Sequence, residues 1–212
     1  MPIVTNAVAN PLGRGYQNTT EQPLLLAPSG ALVVVDFLTK SLLDGRGFQI
    51  RFGVLTTPIE TDIVLTTQAA EMSADSSTGH VLMPTHFTAI METLSGGTLP
   101  DTRVMMTATA STAGDTFVPI PLKSGGIAAV TTARADAAGG VTVIADAVAT
   151  TSLLYGSVLT AVGDFQIDID LLGRGMVSGA GNIYVAQGTV TAGFEGFLAL
   201  SYLEFTSGQL GL

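Results

Sequence analysis

The sharpest chemical pattern in this sequence is Asp164-Phe165-Gln166-Ile167-Asp168-Ile169-Asp170. On an extended strand, side chains alternate between faces, so Asp164, Gln166, Asp168 and Asp170 share one face and Phe165, Ile167 and Ile169 the other. Neighbours on one face lie roughly 6.6–7 Å apart. That spacing lets carboxylates from Asp164, Asp168 and Asp170 gather around a calcium ion held between subunits. It also resembles the separation of a glycosidase carboxylate pair. The plainer alternative is a wetted strand face with an apolar back.

His80 and His86 are the only histidines. A bend at Pro84 would let them meet and bind a metal with Glu92, although the sequence has no H-E-x-x-H pattern on a helix. A Ser-His-Asp triad is defined by geometry alone, but no Gly-x-Ser-x-Gly elbow is present. Neither a phosphate-binding loop nor a dinucleotide fingerprint occurs. Arg14, Arg46 and Arg174 each sit between two glycines, so three of only eight basic residues are placed on turns. A guanidinium there offers a fork of donors to phosphate or carboxylate; it also simply keeps a turn tip solvated. These features define no catalytic residues and no cofactor.

The composition frames these candidates. Hydrophobic residues make up 47% of the 212, whereas charged residues make up 12%, about half the usual share. So few charges leave an independent surface poorly covered, and burial against other subunits relieves this. Seventeen acidic residues against eight basic give a net charge of −9, which disfavours a nucleic-acid groove as the main role. The absence of cysteine excludes disulfides, thiolate metal sites and cysteine nucleophiles. No basic, apolar leader is visible at the N-terminus. The most apolar stretch, 141–163, is rich in Thr, Ser and Gly and reads as buried strands rather than a membrane span.

Residues 1–30 carry Pro2, Pro11, Pro23 and Pro28, together with Ile3, Val4, Val8 and Leu24–Leu26. This combination predicts an extended N-terminal arm that packs on a neighbouring subunit. Residues 31–212 read as one β-sandwich domain of short strands punctuated by turns. Strands are predicted over 31–38, 48–55, 62–68, 80–83, 87–91, 103–110, 141–149, 153–159, 164–171, 182–190 and 196–205. Asp44-Gly45 reads as a hairpin turn, Met72–Gly79 as a polar turn and Ala128–Ala138 as the best helical candidate. Phe117–Leu122, with two prolines, belongs at a sheet edge.

Val81-Leu82-Met83-Pro84-Thr85-His86, followed by an apolar strand and Ser95-Gly96-Gly97, resembles bacteriophage virion structural proteins with a jelly-roll fold. The Thr/Ala-rich middle and the closing stretch from Gly188 to Leu200 add to that resemblance, which covers about the last 130 residues. It implies a non-enzymatic capsid or capsid-associated protein located in the virion, whose partners are its own copies and other virion proteins. A receptor- or carbohydrate-binding module, such as a spike or fibre head, is the alternative, and a small hydrolase a third.

Overall fold

The computed structural model describes residues 36–53, 59–60, 69–92, 101–135, 141–142, 151–158, 165–188 and 195–211. The elements, in chain order, are α1 (Phe37–Leu43), β1 (Gly47–Phe52), β2 (Ile59–Glu60), β3 (Ala69–Ala70), β4 (Met72–Asp75), β5 (His80–Glu92), β6 (Asp101–Thr107), β7 (Asp115–Phe117) and β8 (Ile120–Pro121). They continue with β9 (Thr132–Ala135), β10 (Val141–Thr142), β11 (Thr151–Val158), β12 (Phe165–Asp170), β13 (Val177–Ser178), β14 (Asn182–Gly188), β15 (Glu195–Thr206) and α2 (Ser207–Leu210).

Two antiparallel sheets pack face to face as an all-β sandwich. The first runs β12-β5-β15-β1-β8, with β13 also on β5 and β2 on β15; the second runs β11-β6-β14-β4-β9-β7. A small β3-β10 pair forms a third sheet, and Ala70 of β3 packs with Met105, Tyr184 and Ala186 of the second. Alternation along each strand sends one side-chain row inward. Phe48, Ile50, Phe87 and Leu200 from the first sheet therefore join Met72, Val104, Ile183 and Val185 from the second in a single core. Phe87 and Tyr155 bridge the layers with ring centroids 6.3 Å apart.

The eight principal strands pair in nested order: β1 with β15, β4 with β14, β5 with β12, and β6 with β11. A second, smaller cluster lies on the outer face of the first sheet. There Phe37, Leu38 and Leu42 of α1 cover Val81, Met83, Leu203, Phe205 and Leu210.

Several local expectations change. Phe37–Leu43 is a helix rather than the end of a strand, capped by Asp36, whose carboxylate accepts from the Thr39 amide at 2.9 Å. Gly45 keeps the positive φ expected of it, but it ends this helix instead of turning a hairpin. Met72–Asp75, read as part of a polar turn, is a fully buried strand; only Thr78-Gly79 makes the turn. Ala128–Ala135 is not helical: Val130 and Thr131 are held by the Glu204 carboxylate, and Thr132–Ala135 forms β9, paired with β4.

His80–Glu92 is one continuous strand. Pro84, which lacks an amide proton, is accommodated where its pairing with β15 shifts register, between the segments held by β13 and β12. The edge placement of Phe117–Leu122 holds: β7 and β8 are the outermost strands of the two sheets. The expected arm, the strand at 62–68, and most of 141–149 lie outside the described residues.

Gly181 marks a close approach. A Cβ there would sit 2.5 Å from Val177 Cγ1 and 2.6 Å from the Thr107 carbonyl oxygen, so backbone as well as side chain would have to move. Gly181→Ala is expected to cost about 1–3 kcal/mol, read as a lower urea midpoint.

Candidate functional site

The outer face of the first sheet is where β5 and β12 bring the predicted acidic residues to the histidine. Asp168 lies opposite Thr88, and Asp170 opposite His86. The alternation is as expected, with Gln166, Asp168 and Asp170 exposed and Ile167 buried. The two carboxylates do not converge on a common point. Asp168 Oδ1 takes His86 Nε2 at 2.6 Å and the Thr88 hydroxyl at 3.0 Å, while Asp170 Oδ1 accepts from the Leu172 amide at 2.8 Å. Asp164, the third proposed calcium ligand, and the Glu92 side chain fall outside the described residues. Among the described residues, no three His, Asp or Glu side chains gather closely enough to hold a metal ion.

His80 and His86 are separated along one unbroken strand, so the bend that would let them meet is absent. His80 instead lies at a shallow cleft with Arg46, Phe48, Val130 and Glu204, whereas His86 serves Asp168.

The hydrogen bonds from His86 and Thr88 hold the Asp168 carboxyl below its ordinary range. The group is therefore expected to titrate below 3.8 in a carbon-detected NMR titration, and Thr88→Val with His86→Ala to move the midpoint back up. Its folded-state pKa is depressed, so its contribution to stability is present above the ordinary carboxylate range. That contribution is lost as pH falls through the folded value.

A second polar group was not visible in the sequence. Asp75 is nearly buried on β4; its carboxylate accepts from the Ser111 amide and hydroxyl at 2.8 Å each and from Arg134 Nε at 3.2 Å. Ser111 also touches the Ser73 hydroxyl at 2.7 Å. A nucleophilic serine needs a neighbouring base and an approach for substrate. Ser111 is buried, and neither histidine belongs to this group. The arrangement fastens the loop after β6 to β4. Next to Asp75 in the cross-strand row, the fully buried Asn182 has neither amide atom hydrogen-bonded, and neither is the Thr107 hydroxyl. The only signal for this row was its polar composition within a buried strand.

The two described arginines of the Gly-Arg-Gly turns each bond a group of the chain itself. Arg46 lies over the Phe205 ring at 5.4 Å and donates to Gln209, and Arg174 donates to the Leu154 carbonyl at 3.1 Å. They brace the fold, and Arg14 lies outside the described residues.

Among the described residues, several large apolar side chains are also exposed. Leu43, Val118, Ile120, Leu122, Ile127 and Val130 are all more than two-fifths exposed, and Leu153, Leu172 and Met176 are also open. The first six lie where the chain wraps one side of the sandwich, from β7 of the second sheet through β8 of the first to β9. Leu43 belongs there because the Lys123 ammonium bonds its carbonyl. The other three lie on the opposite side, on the edge strand β11 and the loop after β12. No helix among the described residues is long and apolar enough to cross a membrane. No protein-family model, curated protein or solved structure matches the chain.

Proposed function

We propose that this chain is a non-enzymatic structural protein that self-assembles, a building block of a bacteriophage capsid or a capsid-associated protein located in the virion. The observation that carries this reading is the set of exposed large aliphatic and methionine side chains gathered on two sides of the sandwich. A monomer leaves such groups wet at a cost proportional to their area, and contact with further copies removes it. The low share of charged residues points the same way.

We read the domain as a jelly roll. Rolling up a long antiparallel ladder produces the nested pairing of first strand with last and second with second-last, and this architecture recurs in capsid and lectin domains. The lectin-like alternative calls for exposed aromatic rings as a sugar platform. The exposed large apolar side chains among the described residues include no aromatic ring. Electron microscopy of concentrated protein, alongside a glycan array, separates the two. Rings, capsomers or shells without glycan binding support assembly; dispersed single molecules with selective glycan binding overturn it.

A further inference from the structure

Resting on that self-assembly reading, we propose that two copies associate about a two-fold axis through the side formed by residues 118–130. Each copy seats its Val118 in the other's cleft beside Ile127 and Val130.

The side carries both a projection and a recess. Val118, in the connection from β7 to β8, is 75% exposed, more than any other large apolar side chain among the described residues. The recess is the cleft at His80. Buried Phe48 and Phe205 back it, exposed Ile127 and Val130 stand at its rim, and it holds about 310 Å³ counting its open mouth. That is the small end of the range for ligand pockets, which suits one aliphatic side chain better than an extended ligand. The polar groups of the cleft are engaged within the copy. Glu204 takes the Val130 amide and the Thr131 hydroxyl, Arg46 lies on the Phe205 ring and bonds Gln209, and His80 Nδ1 meets the Thr78 carbonyl at 3.4 Å. What remains to meet a partner is mainly apolar.

Projection and recess are neighbours. Phe117, next to Val118, pairs with Ala133 of β9; Val130 lies just before β9; and Pro121 of β8 pairs with Phe48. A side that bears both shapes complements a second copy of itself turned through a two-fold, and one contact then fills both clefts. The edge offers little to strand addition, because β8 is two residues long and Pro119 and Pro121 lack amide protons. Side chains must therefore make the contact. The six exposed apolar side chains of this side offer on the order of 400 Å². That is close to the non-polar part of the roughly 800 Å² each partner gives to a stable dimer. The exposed charged groups around them, Lys123, Asp44 and Asp115, are of both signs, so two such sides meet without a field of one sign between them.

Light scattering of three variants tests the contact, with the urea midpoint of each compared with that of the parent to confirm folding. Val118→Asp removes the projection, and Ala128→Trp fills the cleft from its own exposed wall. Each is expected to weaken dimer formation by about tenfold or more. Met176→Asp, on the opposite side, is expected to leave the dimer intact. Parent-like association of both folded Val118→Asp and Ala128→Trp overturns this contact while leaving self-assembly standing. A monomeric Met176→Asp protein overturns the two-fold, since the 118–130 side would then be meeting the opposite side. A parent protein that stays monomeric at every concentration overturns the contact and the reading on which it rests.

Discussion

Alanine in place of Phe87 is expected to lower the unfolding free energy by about 3–5 kcal/mol, the largest effect of any single truncation considered for this protein. Phe87 is fully buried on β5, in the central region of the first sheet, and its ring meets Tyr155 of the second sheet. Removing it takes away transfer energy and also leaves a cavity between two layers whose backbones are held by ladders on both sides, so collapse is limited. A loss of that size is a large part of the stability of an ordinary domain. Urea unfolding followed by circular dichroism measures it. Phe87→Leu, which keeps most of the volume, is expected to lose less than half as much. Equal losses for the two substitutions would show that the inter-sheet space tolerates a void.

The second large effect is expected at Glu204. Its carboxylate lies nearly buried at the end of β15 and accepts from the Val130 amide at 3.0 Å, the Thr131 amide at 3.2 Å and the Thr131 hydroxyl at 2.7 Å. These bonds pin the segment that crosses from β8 to β9, and with it Ile127 and Val130. Glu204→Leu leaves these donors unanswered, some of them beyond the reach of water, at a cost of about 3 kcal/mol. Glu204→Gln keeps one acceptor oxygen and is expected to cost about 1 kcal/mol. The same urea titration reports both values. Hydrogen exchange adds a local signature: amides 126–131 are expected to lose protection in Glu204→Leu well before those of β5. Uniform loss across the molecule would assign Glu204 to the global fold instead of the segment.

Much of the architecture was legible because half-buried strands write their period into the sequence. Phe48, Ile50 and Phe52 alternate with Gln49 and Arg51, and the buried and exposed sides of β1 follow that alternation. The same holds for the acidic face of β12. The misreadings have physical causes. Phe37–Leu43 looks strand-like up to Leu38, yet Asp36 can cap a helix and Gly45 can end one, and burial of Phe37, Leu38 and Leu42 on β5 and β15 decides in its favour. Met72–Asp75 reads as polar because Ser73 and Asp75 are polar; their buried partner Ser111 lies 36 residues or more away in the chain. Long-range partners of this kind leave no local signal. For the same reason the sequence could place carboxylates on one face of β12 without showing that His86, 82 residues away, takes Asp168. The apolar sides were foreshadowed only as a shortage of charge, since composition does not reveal where unsatisfied surface will lie.

The measurement that bears most directly on the account is the mass of the purified protein by light scattering across a concentration series at constant pH and salt. Self-assembly through the exposed apolar sides predicts a mass that rises with concentration to a discrete multiple of the 21.7 kDa chain, or to shells. A mass that stays at one chain at every concentration would contradict it.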